Sequence, residues 1–411
     1  MDKSILTNFG GQGCIFNPSI PCKNEKRTRR KKKSKKKKKS KQEISKIVFR
    51  EESAKREFKM NELIRKIPNN LLWSVLWVKH CKTPSYHRLK VISEFDKCIT
   101  QKNMKDIKKK IKKDKKSLSF KKQYTMLKGP FGGAISYFAF VDMCDESTFK
   151  NVKLFTDFFL ELFSYMESLF IGLVELQKYK ICHQDINYRN ILFDKKQMFF
   201  IDFGLTCLFS NKKEIMKRLH IAFSNDRIYD AFSYDYTLFH ASINKDSLKS
   251  LQEEVKDFEK GLYRVHHEDY LSVQEDVLKK KNENQLVHQH MRDILDKSYK
   301  ENAKTIIQGL DIYSLGIVLP MTLYDLAISK NISKEQLSLV CDSPIIQDHL
   351  QLFRDMTQFH ARDRISATVA LDRYRLIQSK NKHKSVFQKP FSKKSKKSKK
   401  KSKSASESYS Y

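Results

Sequence analysis

The side chains best equipped for chemistry lie between residues 183 and 204. His183-Gln184-Asp185-Ile186-Asn187-Tyr188-Arg189-Asn190 is followed by the apolar Ile191-Leu192-Phe193. After a short polar turn and a second apolar run comes Ile201-Asp202-Phe203-Gly204. The pattern is H-x-D-x-x-x-x-N, strand, turn, strand, D-F-G. It contains the parts that phosphoryl transfer from ATP requires. Asp185 is a carboxylate able to orient an acceptor hydroxyl, while the Asn190 amide and the Asp202 carboxylate are oxygen donors able to hold magnesium against phosphates. A loop leading into a hairpin would bring all three to one edge. The bland alternative is a chance match in a loop and hairpin, against which spacing and strand context agree.

Other elements must supply the rest of a nucleotide site. Near the start, Asn8-Phe9-Gly10-Gly11-Gln12-Gly13-Cys14-Ile15 is a glycine-rich loop. Gly10, Gly11 and Gly13 would let backbone N–H groups approach phosphates without a Cβ in the way, and the stretch resembles the kinase glycine-rich loop, in which Ile15 would cover the adenine ring. Ile44-Ser45-Lys46-Ile47-Val48-Phe49 reads as a strand, with Lys46 as either a phosphate-binding cation or a surface lysine. The stretch from Ser53 to Asn70 has helical spacing of Phe58, Leu63, Ile64 and Ile67, ended by Pro68-Asn69. In kinases, which this strand and helix resemble, a glutamate on the helix reaches the strand lysine. By its distance ahead of Pro68 that resemblance favours Glu57 over Glu62, and either could instead be exposed helix charge. Residues 71–127 are the least legible: the stretch 70–81 reads as strand or short helix, 123–127 as a strand and 128–133 as a break. Residues 152–180 read as one long apolar helix whose Asp157, Glu161, Glu167 and Glu175 argue against a membrane span. Gly309-Leu310-Asp311-Ile312-Tyr313-Ser314-Leu315-Gly316 reads as the start of another buried helix.

The chain has 411 residues, 40% of them hydrophobic, and a formal charge of +35. Much of that charge is in runs. Residues 26–41 are almost wholly basic, 102–116 form a second basic run, and the chain ends in a Lys/Ser-rich tail. Such runs cannot pack, so they predict solvated segments able to contact nucleic acid or an acidic protein, or to direct nuclear import. They lack the interleaved aromatics that stack on bases. Eight cysteines (14, 22, 81, 98, 144, 182, 207, 341) show no C-x-x-C pair and read as small core residues in a reducing compartment. No signal-peptide core or membrane-length apolar run is evident. The expectation is a soluble, intracellular protein with no membrane contact.

In this order, the motifs resemble the eukaryotic-type protein kinase family over residues 5–375, and most of all the Ser/Thr protein kinases of large DNA viruses of eukaryotes. The resemblance implies an α+β, two-lobed fold: a small antiparallel sheet lobe with one helix, then a larger, mainly helical lobe. On that reading residues 1–130 form the small ATP-binding lobe with a disordered basic insertion at 24–43. Residues 131–378 form the catalytic lobe with a helical insertion at about 242–305, and 379–411 form a disordered tail. It implies ATP and Mg2+ (or Mn2+) as cofactors, a protein substrate, and a monomer in the host cytoplasm or nucleus, or in a virion. Carried over residue by residue, Asp185 orients the substrate hydroxyl, Asn190 and Asp202 hold the metal, and Lys46 steadies the phosphates with Glu57 behind it. Gly10, Gly11 and Gly13 roof the phosphates, residues 128–133 contain the interlobe hinge, and Asp311 caps the backbone of the catalytic loop.

The chain departs from the family in several places. Gln184 stands where the family has the arginine that answers a phosphorylated activation segment, which points to constitutive activity. Asn187 stands where Ser/Thr kinases carry a lysine, and Arg189 stands where tyrosine-kinase loops carry an arginine. No A-P-E-like triplet follows Gly204; Tyr234-Asp235-Tyr236-Thr237-Leu238-Phe239 occupies its place. The arginine that would pair with it is Arg364, with no identifiable acidic partner. Small-molecule or atypical phosphotransferases also fit the loop, but lack the Asp311 and Arg364 segments. A kinase-like nucleic-acid-binding or packaging protein is the reading from another class.

Overall fold

The computed structural model describes residues 5–10, 13–23, 25, 42–48, 50–84, 88, 89, 92, 95, 124–135, 139, 140, 150–194, 197–211, 233, 235, 236, 273–280 and 303–380. Gly11, the basic runs 26–41 and 102–116, most of 242–305 and the tail after 380 lie outside the described residues.

Short alternating segments build the first sheet. Its strands are β1 (Ile5–Gly10), β2 (Gly13–Asn17), β3 (Glu43–Val48), β4 (Lys79–Lys82) and β5 (Thr125–Pro130). They pair antiparallel in the order β1-β2-β3-β5-β4. Register sets Lys46 opposite Ile15 and Leu127, and Ile47 opposite Cys14 and Met126. Because side chains alternate across a strand, those two rows lie on opposite faces. The Ile47 row packs with Phe16, Ile20, Leu89 and Phe95. On the other face Val48 and Leu127 pack against Ala54 of α1 (Glu51–Ile64). β5 runs through Gly129-Pro130, where the sequence predicts a break. Pro130 ends the strand opposite Glu43, a terminal position that a residue without an N–H tolerates.

After β2 the chain crosses the face opposite α1. The Ser19 N–H donates to Glu43 O (2.8 Å), the Ile20 N–H to Ser45 Oγ (3.0 Å) and the Lys23 N–H to Lys82 O (3.0 Å). This path brings Cys22 and Cys81, 59 residues apart, to a Cα separation of 6.0 Å, and they form a disulfide. Reading all the cysteines as core thiols therefore fails for this pair and for Cys14, which is also disulfide-bonded, whereas Cys182, Cys207 and Cys341 are buried thiols outside any disulfide. Lys128 Nζ sits between Glu25 (3.0 Å) and Glu43 (2.9 Å), the carboxylates flanking the basic run. Lys79, then the Cys22 amide, hold Glu25 down at about 2.

The helical part gathers around phenylalanines of α2 (Val152–Ser164) and α3 (Glu167–Lys178). The sequence predicts one helix here, and the structure has two. The amides of Tyr165 and Met166 bond back to Leu162 O and Phe163 O, three residues away rather than four, and the axis restarts. Around this pair lie α4 (Ala303–Ser329), α5 (Lys334–Cys341), α6 (Pro344–Met356) and α7 (Ala367–Lys380). Asp311 is thus in the interior of a helix rather than at its start. Residues 273–280 contribute Val273, Val277 and Leu278 to the same core. Among the described residues, α4 is the one helix long and apolar enough to cross a membrane, and 94% of its apolar window is buried inside the protein.

Two small sheets join these parts. β6 (Ala134–Ile135), β8 (Ile191–Asp194) and β9 (Gln197–Phe200) form one, and β7 (Ile181–Cys182) pairs with β10 (Cys207–Leu208) in the other. Gly133 leads into β6 at φ 116°, and a Cβ there would lie 2.2 Å from Phe193 O, so only glycine fits. The described fold is α+β, with small antiparallel sheets and several helices.

Candidate active site

Lys46 is the link between the sheet and the 183–204 region. It points from β3 toward α1, is nearly fully buried, and places Nζ 3.1 Å from Glu57 Oε2 and 3.1 Å from Asp202 Oδ2. α1 forms because its acidic first turn (Glu51, Glu52) complements the helix dipole and Ala54, Glu57, Asn61 and Ile64 share its buried face. Glu57 is therefore inside and Glu62 is exposed. The helix stops at Ile64, ahead of Pro68. Trp77 Nε1 donates to Glu57 Oε1 (2.6 Å), and its backbone N–H donates to Asn61 Oδ1 (2.8 Å).

The charges in this cluster depend on one another. Burial disfavours the Lys46 ammonium, but Asp202 and Glu57 outweigh it and hold the lysine above its ordinary value. Burial raises Glu57 above the usual carboxylate range, against the pull of Lys46. Asp202 is also opposed by burial, yet Lys46 and the Gly204 amide hold it below the usual range. Its side chain keeps 29% exposure while that of Glu57 has none, so Asp202 is the carboxylate of the cluster open to a ligand.

The backbone around Asp185 is fixed from three sides. Asp311 accepts the N–H groups of His183 (2.6 Å) and Gln184 (3.0 Å). Pairing of β7 with β10 and the bond from Thr206 Oγ1 to His183 O (3.3 Å) tie the strand before Asp185 to the segment after Asp202. The Ile201 N–H donates to Asn190 O (3.0 Å). Gln184 (φ 63°) and Asp202 (φ 57°) are both left-handed, a conformation that costs non-glycine residues energy and persists where surroundings impose it. Asn190 Nδ2 donates to Asp185 O (2.9 Å), and Asn187 Nδ2 to Asp185 Oδ1 (3.0 Å). Arg189 is exposed, its guanidinium 5.5 Å from the centre of the Tyr188 ring.

The glycine-rich loop is described at its two ends. Gly10 pairs with Gly13 and closes the β1–β2 hairpin. A Cβ on Gly13 would lie 2.2 Å from Ile47 O, so close packing of β2 on β3 already demands glycine there. Ile15 follows, half-buried, opposite Lys46.

Asp202 and Asn190 present oxygen donors of the kind that magnesium takes. That ion prefers oxygen ligands, and takes one or two carboxylates with substrate phosphates rather than a protein cage. Asp202 and the Asn190 amide, turned by its Nδ2 bond to Asp185 O, fit that requirement. Among the described residues no group of three or more His, Cys, Asp or Glu forms a metal-binding cluster.

His183 gives the region a pH dependence. It is fully buried between Phe200 and Phe203, and its Nε2–H donates to Ile201 O (3.1 Å). Burial lowers its pKa to about 4 from 6.5. A depressed histidine favours folding above the unfolded value, and that contribution is lost as pH falls from 6.5 toward 4. Burial pushes Asp311 the other way, up to about 6, so its contribution is lost as pH rises through 6. His183→Phe separates the two. Urea unfolding at pH 7 and 4.5 should show native stability falling by roughly 2–3 kcal/mol more than the variant's. Equal losses in both proteins would contradict this.

Three contributors are not marked in the sequence. Trp77 lies in the stretch without clear periodicity. Asn187 is conspicuous only as a departure. Asp235 pairs with Arg364 (2.8 Å), both buried, and supplies the acidic partner that the missing triplet hides.

No protein-family model matches the chain, and no curated protein matches it.

Proposed function

We propose that this chain is an ATP-dependent protein kinase with a two-lobed architecture, transferring the γ-phosphate to protein hydroxyls, with Ser/Thr as acceptors. One observation carries the reading: Lys46 contacts both Glu57 and Asp202 at 3.1 Å, 156 residues separating the lysine from the aspartate. Such an arrangement joins a phosphate-binding cation to a metal-binding carboxylate at a cleft between sheet and helices. The sheet with α1 serves as the small lobe, and the elements from β6 onward as the large one.

In this reading Lys46 steadies the α and β phosphates, and Glu57, fixed by Trp77, holds Lys46 in place. The hairpin of Gly10, Gly11 and Gly13 covers the phosphates, and Ile15 lies over the adenine. Asn190 and Asp202 hold Mg2+ or Mn2+, which neutralises charge on the transferring phosphate when bound. Asp185 orients the acceptor hydroxyl and takes its proton. The bracing of the loop by Asp311 and the Arg364–Asp235 pair favour a protein kinase over the shorter small-molecule phosphotransferases.

The test is transfer of radiolabel from γ-labelled ATP to a mixed protein substrate with magnesium or manganese. Transfer should vanish with excess chelator and in the Asp185→Asn variant, and acid hydrolysis should release phosphoserine and phosphothreonine. Labelling of small hydroxyl compounds instead would favour the phosphotransferase reading. No transfer with either metal would favour a non-enzymatic, polyanion-binding protein.

A further inference from the structure

Asn187 uses both ends of its amide inside the loop. Its Nδ2 donates to Asp185 Oδ1 at 3.0 Å, and to Asp185 O at 3.2 Å. Its Oδ1 accepts the Arg189 N–H at 2.9 Å, which caps the short 3-10 turn Tyr188–Asn190. The turn in turn carries Asn190, whose own amide returns to Asp185 O. A single neutral side chain thus connects the carboxylate of Asp185 to the backbone of the turn that carries Asn190.

We propose that Asn187 is a positioning residue for phosphoryl transfer, holding the Asp185 carboxylate in one orientation through an uncharged hydrogen bond. This rests on the kinase reading above. An aspartate side chain left to itself rotates about two bonds, and a directed donor on Oδ1 favours one rotamer over the others. Nδ2 and Oδ1 are fixed relative to each other by the planar amide. Capping the turn therefore also aims the donor. A lysine at this position would bring a charge on a flexible stem instead; asparagine brings direction.

Two substitutions separate positioning from capping. In Asn187→Ser the hydroxyl can still accept the Arg189 N–H, as serine does in such turns, but the side chain is too short to reach Asp185 Oδ1. Asn187→Ala removes the cap as well as the bonds to Asp185. If Asn187 positions Asp185, both variants should lose kcat by about tenfold to a hundredfold, the scale of a misplacement of about 1 Å. KM for ATP and for protein should stay within about twofold, and the serine variant should melt close to the native temperature. If Asn187 only caps the turn, the serine variant keeps native kcat, and the alanine variant's loss follows its melting temperature; that result would overturn the proposal. Should the native chain transfer no phosphate at all, the kinase reading fails with it, and native activity distinguishes the two failures.

Discussion

Asp185→Asn should lower kcat for protein phosphorylation on the order of 10²–10⁴-fold, the usual contribution of a positioned general base. That corresponds to about 3–5 kcal/mol of transition-state stabilisation. The substitution is nearly isosteric. Asp185 O, which accepts from Asn190 and Asn187, is a backbone atom and is unaffected. The restraints from Asp311 on His183 and Gln184 lie on the preceding residues. What disappears is the carboxylate charge that, on the kinase reading, takes the acceptor's proton. Nucleotide affinity, which the kinase reading assigns to Lys46, Asp202 and the glycine hairpin, should therefore change by less than about threefold, measured with a fluorescent ATP analogue. A variant retaining more than a tenth of native kcat would remove Asp185 from the role of base. A variant that loses ATP binding equally would make it a structural residue.

The parts of this site that could be read from sequence are those in which function and local structure demand the same residue. Asp185, Asn190 and Asp202 stand at fixed spacings within one loop and hairpin, so a pattern match carries geometry with it. Distance ahead of Pro68 in the kinase pattern favours Glu57 over Glu62; the structure adds the physical reason, since positions 54, 57, 61 and 64 share the inward face of α1 and 62 does not. Lys46 follows from the likeness of its strand to the kinase lysine strand, and the structure sets its row toward α1.

Contacts made across long stretches of chain were not legible. Trp77 meets Glu57 because β4 runs beside β5, and nothing around residue 77 announces which way the indole turns. Cys22 and Cys81 pair only because the chain crosses the sheet from β3 to β4, and spacing does not determine connectivity among eight cysteines. The break between α2 and α3 has no glycine or proline to signal it; two amides simply bond one residue short. At 128–130 the error ran the other way, because glycine and proline suggested a break where β5 continues. Local punctuation gives way to tertiary pairing in both cases.

Arg364 and Asp235 give the largest expected effect on stability. The guanidinium is wholly buried and every direction it points is answered. Nε donates to Gln358 O (2.8 Å), Nη1 to Gly309 O (3.1 Å), and Nη2 to both Asp235 Oδ1 and Phe359 O (2.8 Å each). Its carbon lies 5.1 Å from the centre of the Tyr313 ring. Asp235 Oδ2 accepts the Ala361 N–H (2.9 Å). Removing one member leaves the other charge buried and uncompensated, which typically costs about 3–5 kcal/mol. Asp235→Ala should therefore lower urea-unfolding stability by that amount, a large share of the roughly 5–15 kcal/mol that holds a domain folded. Arg364→Lys should cost nearly as much, because one ammonium cannot supply a planar fork of donors to four oxygens. The double variant Asp235→Ala/Arg364→Ala should cost little more than either single change, since neither then strands a charge. Additive losses would mean the two residues act separately. The pair also joins the chain beyond Asp202 to the 358–364 turn and α4, so Asp235→Ala should lower kcat even at temperatures where the protein stays folded. Native kcat in a folded Asp235→Ala protein would confine the pair to stability alone.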